Sequence, residues 1–277
     1  MLIKENQSIL IPVDFSKQSL VAIKQAYNLA KFTHSKLVLM HSSPDSYTDH
    51  KAELDELASV TRLESGLTVD SMCLKGDVYE LTDQIATELD CALIVIGLDT
   101  QVRFRKFLGL NNVSKFIKDA PCPVITIRSI KNRDGCNSIV IPLDLNPDSR
   151  EKVPIAVQLA HFYKADIRVV SVFHPDDHKY ENELLPYISQ VKKFIKQKGV
   201  NCSNKSIASE FVAESIVEYA NKNDCDLIVQ MNKTSMSFGE MISGAWAEKL
   251  VDISNIPVLS INPMIREGGA SFGAVGG

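Results

Sequence analysis

The chain has 277 residues, of which 45% are hydrophobic and 23% charged, a composition typical of a folded globular protein and not of a disordered or fibrous one. Its formal net charge of −4 gives no electrostatic case for nucleic acid or an anionic membrane surface as a partner. No apolar run reaches the roughly 18–20 residues of a membrane-spanning helix, and the N-terminal segment lacks the features of a signal peptide. We therefore expect a cytoplasmic protein without a membrane span.

An internal repeat divides the chain into two copies of one unit. The segment ILIPVDFS at 9–16 matches IVIPLDLN at 139–146, so that Asp14 corresponds to Asp144 at an offset of 130. A repeat of this length agrees with the usual domain size of about 100–200 residues. Because self-similarity at a fixed offset defines the architecture, the sequence predicts two tandem domains.

The repeat continues to the end of each copy. DCALIV at 90–95 matches DCDLIV at 224–229, and PCPVITI at 121–127 matches NIPVLSI at 255–261. The offset in both pairs is 134, which places a net insertion of four residues in the second copy. We expect domains at 1–130 and 137–265, joined by a polar linker and followed by a flexible glycine-rich tail at 266–277.

The hydrophobic pattern predicts alternating strands and helices in each copy. In chain order, the predicted elements of the first copy are strand 8–14, helix 17–32, strand 36–41, helix 48–64, strand 67–74, helix 77–89, strand 92–97, helix 112–119 and strand 123–127. The predicted strands of the second copy are 138–143, 167–173, 200–207, 226–231 and 257–261. This alternation predicts an α/β fold in which each copy is a five-stranded parallel sheet with helices on both faces.

Open parallel sheets bind ligands beyond the carboxyl ends of their strands. In the first copy that edge receives Asp14 after the first strand, Ser42 after the second and the loop that follows Gly97. In the second copy it receives Asp144 and the loop after Gln230. These positions are therefore the candidates for a ligand site.

The sequence resembles the universal stress protein family in its tandem two-domain form, over nearly the whole chain. The resemblance rests on IPVDFS, LVLMH, LIVIG and PCPVITI in the first copy and their counterparts in the second. It implies two Rossmann-like domains of the adenine nucleotide alpha hydrolase type. It also implies a site for ATP or another adenine nucleotide with Mg²⁺, whose base and ribose would contact Pro12, Val13, Asp14 and Ser42.

The phosphate loop of that family is only partly present in the first copy. The family places Gly, two residues, Gly, nine residues, and then Gly followed by Ser or Thr after the fourth strand. Here Gly97 fills the first position, Thr100 replaces the second glycine, and Gly109 lies one residue early. Asn111 and Asn112 are candidates to cap the following helix and to replace part of the lost contacts.

The second copy has kept the spacing of this loop but not its residues. Met231, Thr234 and Ala245 stand at three of the four positions, and only Gly244 is retained. A Cβ atom where positive φ is needed costs about 1 kcal/mol or more. We infer that the second copy has lost phosphate binding, so that at most the first copy is a nucleotide site.

Individual residues have structural explanations beside the functional ones. Asp14 either binds a ribose or caps the helix that follows, whereas capping is favoured for Asp144. His41 is interpreted as a hydrogen-bonded polar residue and Trp246 as a packing residue. The basic cluster at 103–106 either neutralises phosphates or forms a solvated surface, and the surface is favoured.

Two functional hypotheses follow. The sequence has no Walker loop, no G-x-S-x-G elbow and no H-E-x-x-H motif, so a dedicated enzyme is not expected. The first hypothesis is a non-catalytic stress-response regulator, without a required cofactor, that binds a small molecule or a protein partner. The resemblance implies that its two copies pair through their last strands as an intramolecular pseudo-dimer, which would protect two sheet edges, with a homodimer of tandem chains as a further level of assembly. The alternative is an adenine-nucleotide (ATP or AMP) regulator that uses the first copy alone, with slow ATP hydrolysis.

Overall fold

The computed structural model describes residues 2–43, 50–98, 110–131, 134–232 and 245–263, with the backbone alone at 110–112 and 245. The strands of this part of the chain are β1 Ser8–Pro12, β2 Lys36–Ser43, β3 Val69–Lys75, β4 Leu93–Gly97, β5 Val124–Ile127, β6 Ser138–Pro142, β7 Asp166–Phe173, β8 Cys202–Ala208, β9 Leu227–Met231 and β10 Val258–Ile261. The α-helices are α1 Lys17–Thr33, α2 Lys51–Ser65, α3 Val78–Glu88, α4 Leu110–Asp119, α5 Val153–Tyr163, α6 His178–Gln197, α7 Val212–Lys222 and α8 Ala245–Ile253.

All ten strands form one continuous sheet in the order β3-β2-β1-β4-β5-β10-β9-β6-β7-β8. Strands β1–β5 make the first half and β6–β10 the second, and every pair within a half is parallel, as predicted. The halves meet where β5 and β10 pair antiparallel, with Ile125 opposite Leu259. The expected contact of the two last strands is therefore present, and it joins the two predicted sheets into one.

The sheet is covered on both faces, which explains the nearly continuous apolar strands. Side chains alternate between the faces along each strand. Ile9 and Leu37 pack in one core cluster with α1, α2, α5 and α6, whereas Leu10 and Val38 pack in another with α3, α4, α7 and α8. Each buried strand residue therefore belongs to a helix-on-sheet layer, as in other doubly wound sheets.

Two residues at matching positions of the two halves donate hydrogen bonds to the carboxyl end of a helix in the opposite half. Arg128 follows β5, and its guanidinium donates to the carbonyl oxygen of Val251 in α8 at 2.8 Å. Asn262 follows β10, 134 residues later, and its amide nitrogen lies 3.0–3.1 Å from three carbonyl oxygens at the end of α4, those of Ile117, Lys118 and Ala120. Because helix ends leave carbonyl groups without intrahelical partners, these contacts stabilise both helices and the seam between the halves.

The insertion in the second half lengthens the helix between its second and third strands. Helix α2 has 15 residues, whereas its counterpart α6 has 20. The boundaries otherwise differ little from the predicted ones, although the strand predicted at 8–14 ends at Pro12 and α4 begins two residues before 112. None of the described helices is both long and apolar enough to cross a membrane.

Candidate functional site

The fold brings four of the predicted site residues of the first half to one edge of the sheet. Pro12 ends β1 and is buried, and the backbone of Val13 continues toward β2 by donating to Met40 at 2.7 Å. Ser42 is buried near the end of β2, and Gly97 ends β4. Because β1 lies between β2 and β4, these residues face the same space beyond the strand ends.

Asp14 supports the cap of α1 without being the cap. Its Oδ1 accepts hydrogen bonds from the backbone nitrogen and the hydroxyl of Ser16, at 3.1 and 2.6 Å. The hydroxyl oxygen of Ser16 in turn accepts from the backbone nitrogen of Ser19 at 3.1 Å, which is the contact of an N-cap residue. Of the two roles considered for Asp14, direct capping is therefore wrong, because Ser16 performs it.

Between these two residues the backbone takes a left-handed turn. Phe15 has φ of 60°, a conformation that is uncommon for a bulky side chain. Its ring centroid lies 5.0 Å from that of His41 and 5.2 Å from that of His50. A ring nitrogen of His41 is 2.7 Å from the carbonyl oxygen of Val13, so the prediction of a hydrogen-bonded polar residue is confirmed.

Gly97 is required by close packing. A Cβ atom on this residue would lie 2.3 Å from the carbonyl carbon of Gln18 and 2.4 Å from the backbone nitrogen of Ser19. Both atoms belong to the backbone of the first turn of α1. The absence of a side chain at Gly97 therefore lets α1 begin directly against the end of β4, whatever contact this residue makes with a ligand.

The corresponding region of the second half is built differently. Met231 stands at the position of Gly97, and its side chain is buried. A side chain there and an early first turn like that of α1 would compete for the same space. The second half instead has a short 3₁₀ turn, Pro147–Arg150, and α5 begins only at Val153.

A buried lysine accompanies this turn. Lys152 is 1% exposed, whereas the matching residue of the first half is Ala22. Its ammonium donates to the hydroxyl of Ser149 at 2.9 Å. Lys152, Ser149 and Asp144 line the same small cavity.

Asp144 itself is not a helix cap. Its Oδ1 accepts from the backbone nitrogen of Asn146 at 3.1 Å, and the side chain of Asn146 accepts from the backbone nitrogen of Asp148 at 3.0 Å. The 3₁₀ turn is thus capped by Asn146, and the favoured capping role of Asp144 is wrong. As in the first half, the aspartate hydrogen-bonds the capping residue.

A larger cavity of about 450 Å³ opens at the carboxyl ends of β6 and β7. Its apolar wall is formed by residues of both strands, of α6 and α7, and by the tryptophan of α8: Pro142, Leu143, Val170, Val172, Phe173, Tyr180, Val212, Ile216 and Trp246. Its polar wall is formed by five residues: Asp144, His174, Asp177, Ser209 and Glu210. The lining of the cavity is therefore mostly apolar and includes three carboxylates.

The polar groups at the mouth of this cavity are held by their neighbours. His174 Nδ1 accepts from the backbone nitrogen of Asp176 at 3.3 Å, which leaves its Nε2 to donate to Glu210, 3.3 Å away. Asp177 caps α6 by accepting from the backbone nitrogen of Tyr180 at 2.9 Å. These contacts fix the carboxylates of Asp177 and Glu210 at the rim of the cavity.

Comparison with known proteins agrees with the repeat. A model of the universal stress protein family matches the chain twice, at 5–128 and 136–262. The chain belongs to the universal stress protein family. No curated relative with a matching sequence was found.

Several solved structures are similar to this tandem universal stress protein. A functionally unknown protein from Pseudomonas aeruginosa is 22% identical, with a TM-score of 0.70 over 93% of this chain and 92% of that one. A universal stress protein from Archaeoglobus fulgidus is 14% identical, with a TM-score of 0.72 over 95% of this chain and 98% of that one. At these identities the likeness shows the shared fold.

A third structure matches half of the chain. It is a universal stress protein from Archaeoglobus fulgidus in complex with dAMP, 21% identical, with a TM-score of 0.38 over 45% of this chain and 97% of that one. The nucleotide in that structure is a property of that protein, and at this TM-score it assigns no ligand to either half.

Other predicted residues of the family loop lie outside the described part of the chain. Gly109, Gly244 and the basic cluster at 103–106 fall there. Asn111 and Asn112 lie in the first turn of α4, which begins at Leu110, so they do not occupy the capping position expected for them. Within the described ranges, no three His, Cys, Asp or Glu side chains are placed to hold a metal ion.

Sequence reasoning missed the walls of the second-half cavity. The strand-end rule points to the edge at which this cavity lies, but His174, Asp177 and Glu210 follow β7 and β8 in segments whose course the repeat does not give. Trp246, expected to serve packing, contacts the core cluster of its face and also lines the cavity. Its position as the only tryptophan in a helix after the family loop was the available signal.

Proposed function

We propose that this universal stress protein is a non-catalytic regulatory protein that binds a small molecule in the cavity of its second half. The observation that carries the proposal is the cavity itself, whose volume of about 450 Å³ lies in the range of ligand pockets, roughly 300–1,000 Å³. It lies beyond the carboxyl ends of β6 and β7, where open parallel sheets bind ligands. Its apolar wall with a few polar groups at one end is the usual composition of such a pocket.

The chemistry of the second half supports binding rather than reaction. The sequence carries none of the nucleophile or phosphate-loop motifs that a dedicated enzyme on this fold would use. The polar groups of the cavity wall hold one another or cap a helix, as at Asp177 and Glu210. Such groups orient a ligand through hydrogen bonds and charge.

Trp246 provides the test of this proposal. It is the only tryptophan of the chain and lines the cavity, so its fluorescence reports ligand entry directly. We expect a saturable change in emission when neutral planar molecules such as benzamide and adenine are titrated into the full chain. Val172→Phe places a larger side chain in the cavity wall and should abolish that change.

The matched control is Val60→Phe, the same exchange at a residue of α2 that is 43% exposed and lies in the first half. It should leave the titration unaltered. Melting curves of both variants check that the sheet remains folded. A response that persists in Val172→Phe, or no saturable response to any probe, contradicts the proposal.

The second candidate function is binding of an adenine nucleotide in the first half, with Mg²⁺ on its phosphates and slow hydrolysis. It is favoured by Asp14, whose Oδ1 alone is engaged within the described part of the chain, so that Oδ2 can accept from a ribose hydroxyl. The rings of Phe15, His41 and His50 lie together at the same edge and offer a surface on which a base can stack.

Calorimetric titration with ATP, ADP and AMP, with and without Mg²⁺, tests this second candidate. It predicts one nucleotide per chain and loss of binding in Asp14→Asn. Asp144→Asn, the same exchange at the matching residue of the second half, is the control and should leave nucleotide affinity unchanged. Two bound equivalents, or equal affinity in Asp14→Asn, would count against it.

A further inference from the structure

We propose that the second-half cavity selects planar ligands that carry a positive charge, such as aromatic amidines and amines, and discriminates against phosphates and carboxylates. The inference rests on the proposed function, because it specifies the ligand class of the same cavity. It is carried by three features: the charge of the polar residues that line the cavity, the chemistry of its apolar lining, and the side chain of Met231 where the family's phosphate loop has its first glycine.

The polar residues that line the cavity carry mostly negative charge. Asp144, Asp177 and Glu210 line it, and among the described lining residues the only side chain that can become cationic is His174. His174 is held against Glu210. The ammonium of Lys152 lines the adjoining small cavity together with Asp144. Its positive charge offsets the negative charge of one of the three carboxylates.

The remaining carboxylates are therefore available to a cationic ligand. Asp177 and Glu210 are exposed at the rim, and they approach the cavity from different elements, Asp177 from the start of α6 and Glu210 from the turn between β8 and α7. A flat group with several N–H donors, such as an amidinium, can pair with carboxylates in a bidentate manner. An anion placed at the same point would instead meet like charges.

The apolar lining of the cavity would contact the ring of such a ligand. Val172 and Ile216 come from the strand and the helix on either side, and Trp246 closes the cavity. Aromatic side chains stack with flat rings, and an indole face also attracts a cation within about 6 Å of the ring centroid. An aromatic cation therefore complements both the apolar side chains and the carboxylates that line the cavity.

Three described features of the second half are unfavourable for a phosphate. Met231 replaces the first glycine of the family loop with a buried side chain. The backbone N–H of Asp148, at the start of the 3₁₀ turn, already donates to Asn146. The ammonium of Lys152 is buried beside Ser149 and lines the small cavity, whereas the large cavity is lined by Asp144 without Lys152. A phosphate in the large cavity would thus meet the carboxylate of Asp144 without that ammonium in the wall to offset it.

The test compares three probes of one shape and three charges: benzamidine, benzamide and benzoate, which are positive, neutral and negative at pH 7.5. Each is titrated into the full chain at low ionic strength, with Trp246 emission and ligand-observed NMR as readouts. We expect benzamidine to bind about tenfold more tightly than benzoate, with benzamide between them, as the charge of the rim in partly screened surroundings implies. Raising the salt concentration should narrow this ratio.

Two isosteric variants test whether the carboxylates at the rim cause the difference in affinity between benzamidine and benzoate. Asp177→Asn retains an N-cap side chain for α6, and Glu210→Gln retains a hydrogen-bond acceptor for His174, so both should fold. The double variant should bring the affinities for benzamidine and benzoate to within about threefold of each other. Glu218→Gln is the matched control, because it removes an exposed carboxylate of α7 that pairs with Lys222 outside the cavity.

The outcomes separate the two proposals. Binding of benzamide with benzoate equal to or tighter than benzamidine overturns the charge selectivity and leaves the cavity as a ligand site. A preference for benzamidine that survives in the Asp177→Asn, Glu210→Gln double variant also overturns it. Failure of all three probes to bind contradicts the proposed function itself. AMP binding more tightly than adenosine to the Asp14→Asn protein, with a response of Trp246, would likewise refute the discrimination against phosphate.

Discussion

Replacing Gly97 with alanine adds one methyl group at the point where β4 meets the first turn of α1. That Cβ would lie 2.3 Å from the carbonyl carbon of Gln18 and 2.4 Å from the backbone nitrogen of Ser19. Ordinary contacts at such an atom begin near 3.4 Å, so the helix start must move by about 1 Å. Overpacking of this kind costs about 1–3 kcal/mol. Because the obstructing atoms are backbone and cannot rotate away, we expect the upper end, about 3 kcal/mol, in the free energy of unfolding.

Urea unfolding followed by circular dichroism measures this loss. The control is Gly199→Ala, at a glycine with φ of 78° and no atom within 4 Å of the added Cβ, where only the backbone conformation is penalised, by about 1 kcal/mol. The two variants therefore separate steric exclusion from backbone strain. If Gly97→Ala is no more destabilised than Gly199→Ala, α1 does not need the glycine and the packing explanation is refuted.

Three further predictions concern single contacts. Ser16→Ala removes the oxygen that accepts from Ser19 and should lower the free energy of unfolding by about 1 kcal/mol in a urea titration; an unchanged midpoint would show that another group caps α1. Asn262→Ala deprives the end of α4 of its cross-half donor and should cost about 1–2 kcal/mol, with faster hydrogen exchange in α4 than in α2, whereas uniform exchange would contradict a role at the seam. Burial, together with the Asp119 carboxylate, raises the pKa of Asp83 to about 6 from its ordinary value of 3.8. The stabilisation from the protonated form is complete below pH 3.8 and is lost as the pH rises through about 6. Asp83→Asn should therefore be more stable than the natural protein by about 1 kcal/mol at pH 7.5, after allowance for solvent screening at this half-buried side chain, and equally stable at pH 3.5; a gain that is the same at both pH values would refute this.

The sequence was sufficient for the fold because the fold depends on pattern. Apolar runs at 92–97 and 226–231 predict strands buried on both faces, and the matched offset predicts that the second half repeats the first. The contact of the two last strands was also predicted from the resemblance, and β5 and β10 indeed pair, in antiparallel direction. The hydrophobic pattern could not predict that Arg128 and Asn262 each hydrogen-bond the end of a helix in the opposite half. The two side chains stand at matching positions but are chemically unlike, so the repeat does not reveal their shared role.

The site was less predictable because it depends on how the backbone turns after each strand. Ser16 could have been recognised as the N-cap, since a serine directly precedes the helix. The aspartate two residues earlier is considered for that role instead. In the second half the backbone after β6 differs by a delayed helix start and a buried Lys152. A lysine in an apolar helix segment is ordinarily read as a surface residue, and no periodicity signals that its ammonium lies beside Ser149.

The differences between the halves are concentrated at the carboxyl ends of the strands. Gly97 becomes Met231, which removes the close approach of the helix start. Ala22 becomes Lys152, whose ammonium lines a small cavity together with Asp144, the aspartate that follows β6. A serine in β2 becomes Val172, which adds an apolar side chain to the cavity wall. These exchanges accompany a cavity with an acidic rim in the half that lacks the close contact between helix start and strand end. Under the proposed function the second half is therefore a site for another class of ligand and not a degenerate copy of the first, and the charge of the bound molecule is the property that distinguishes these two descriptions.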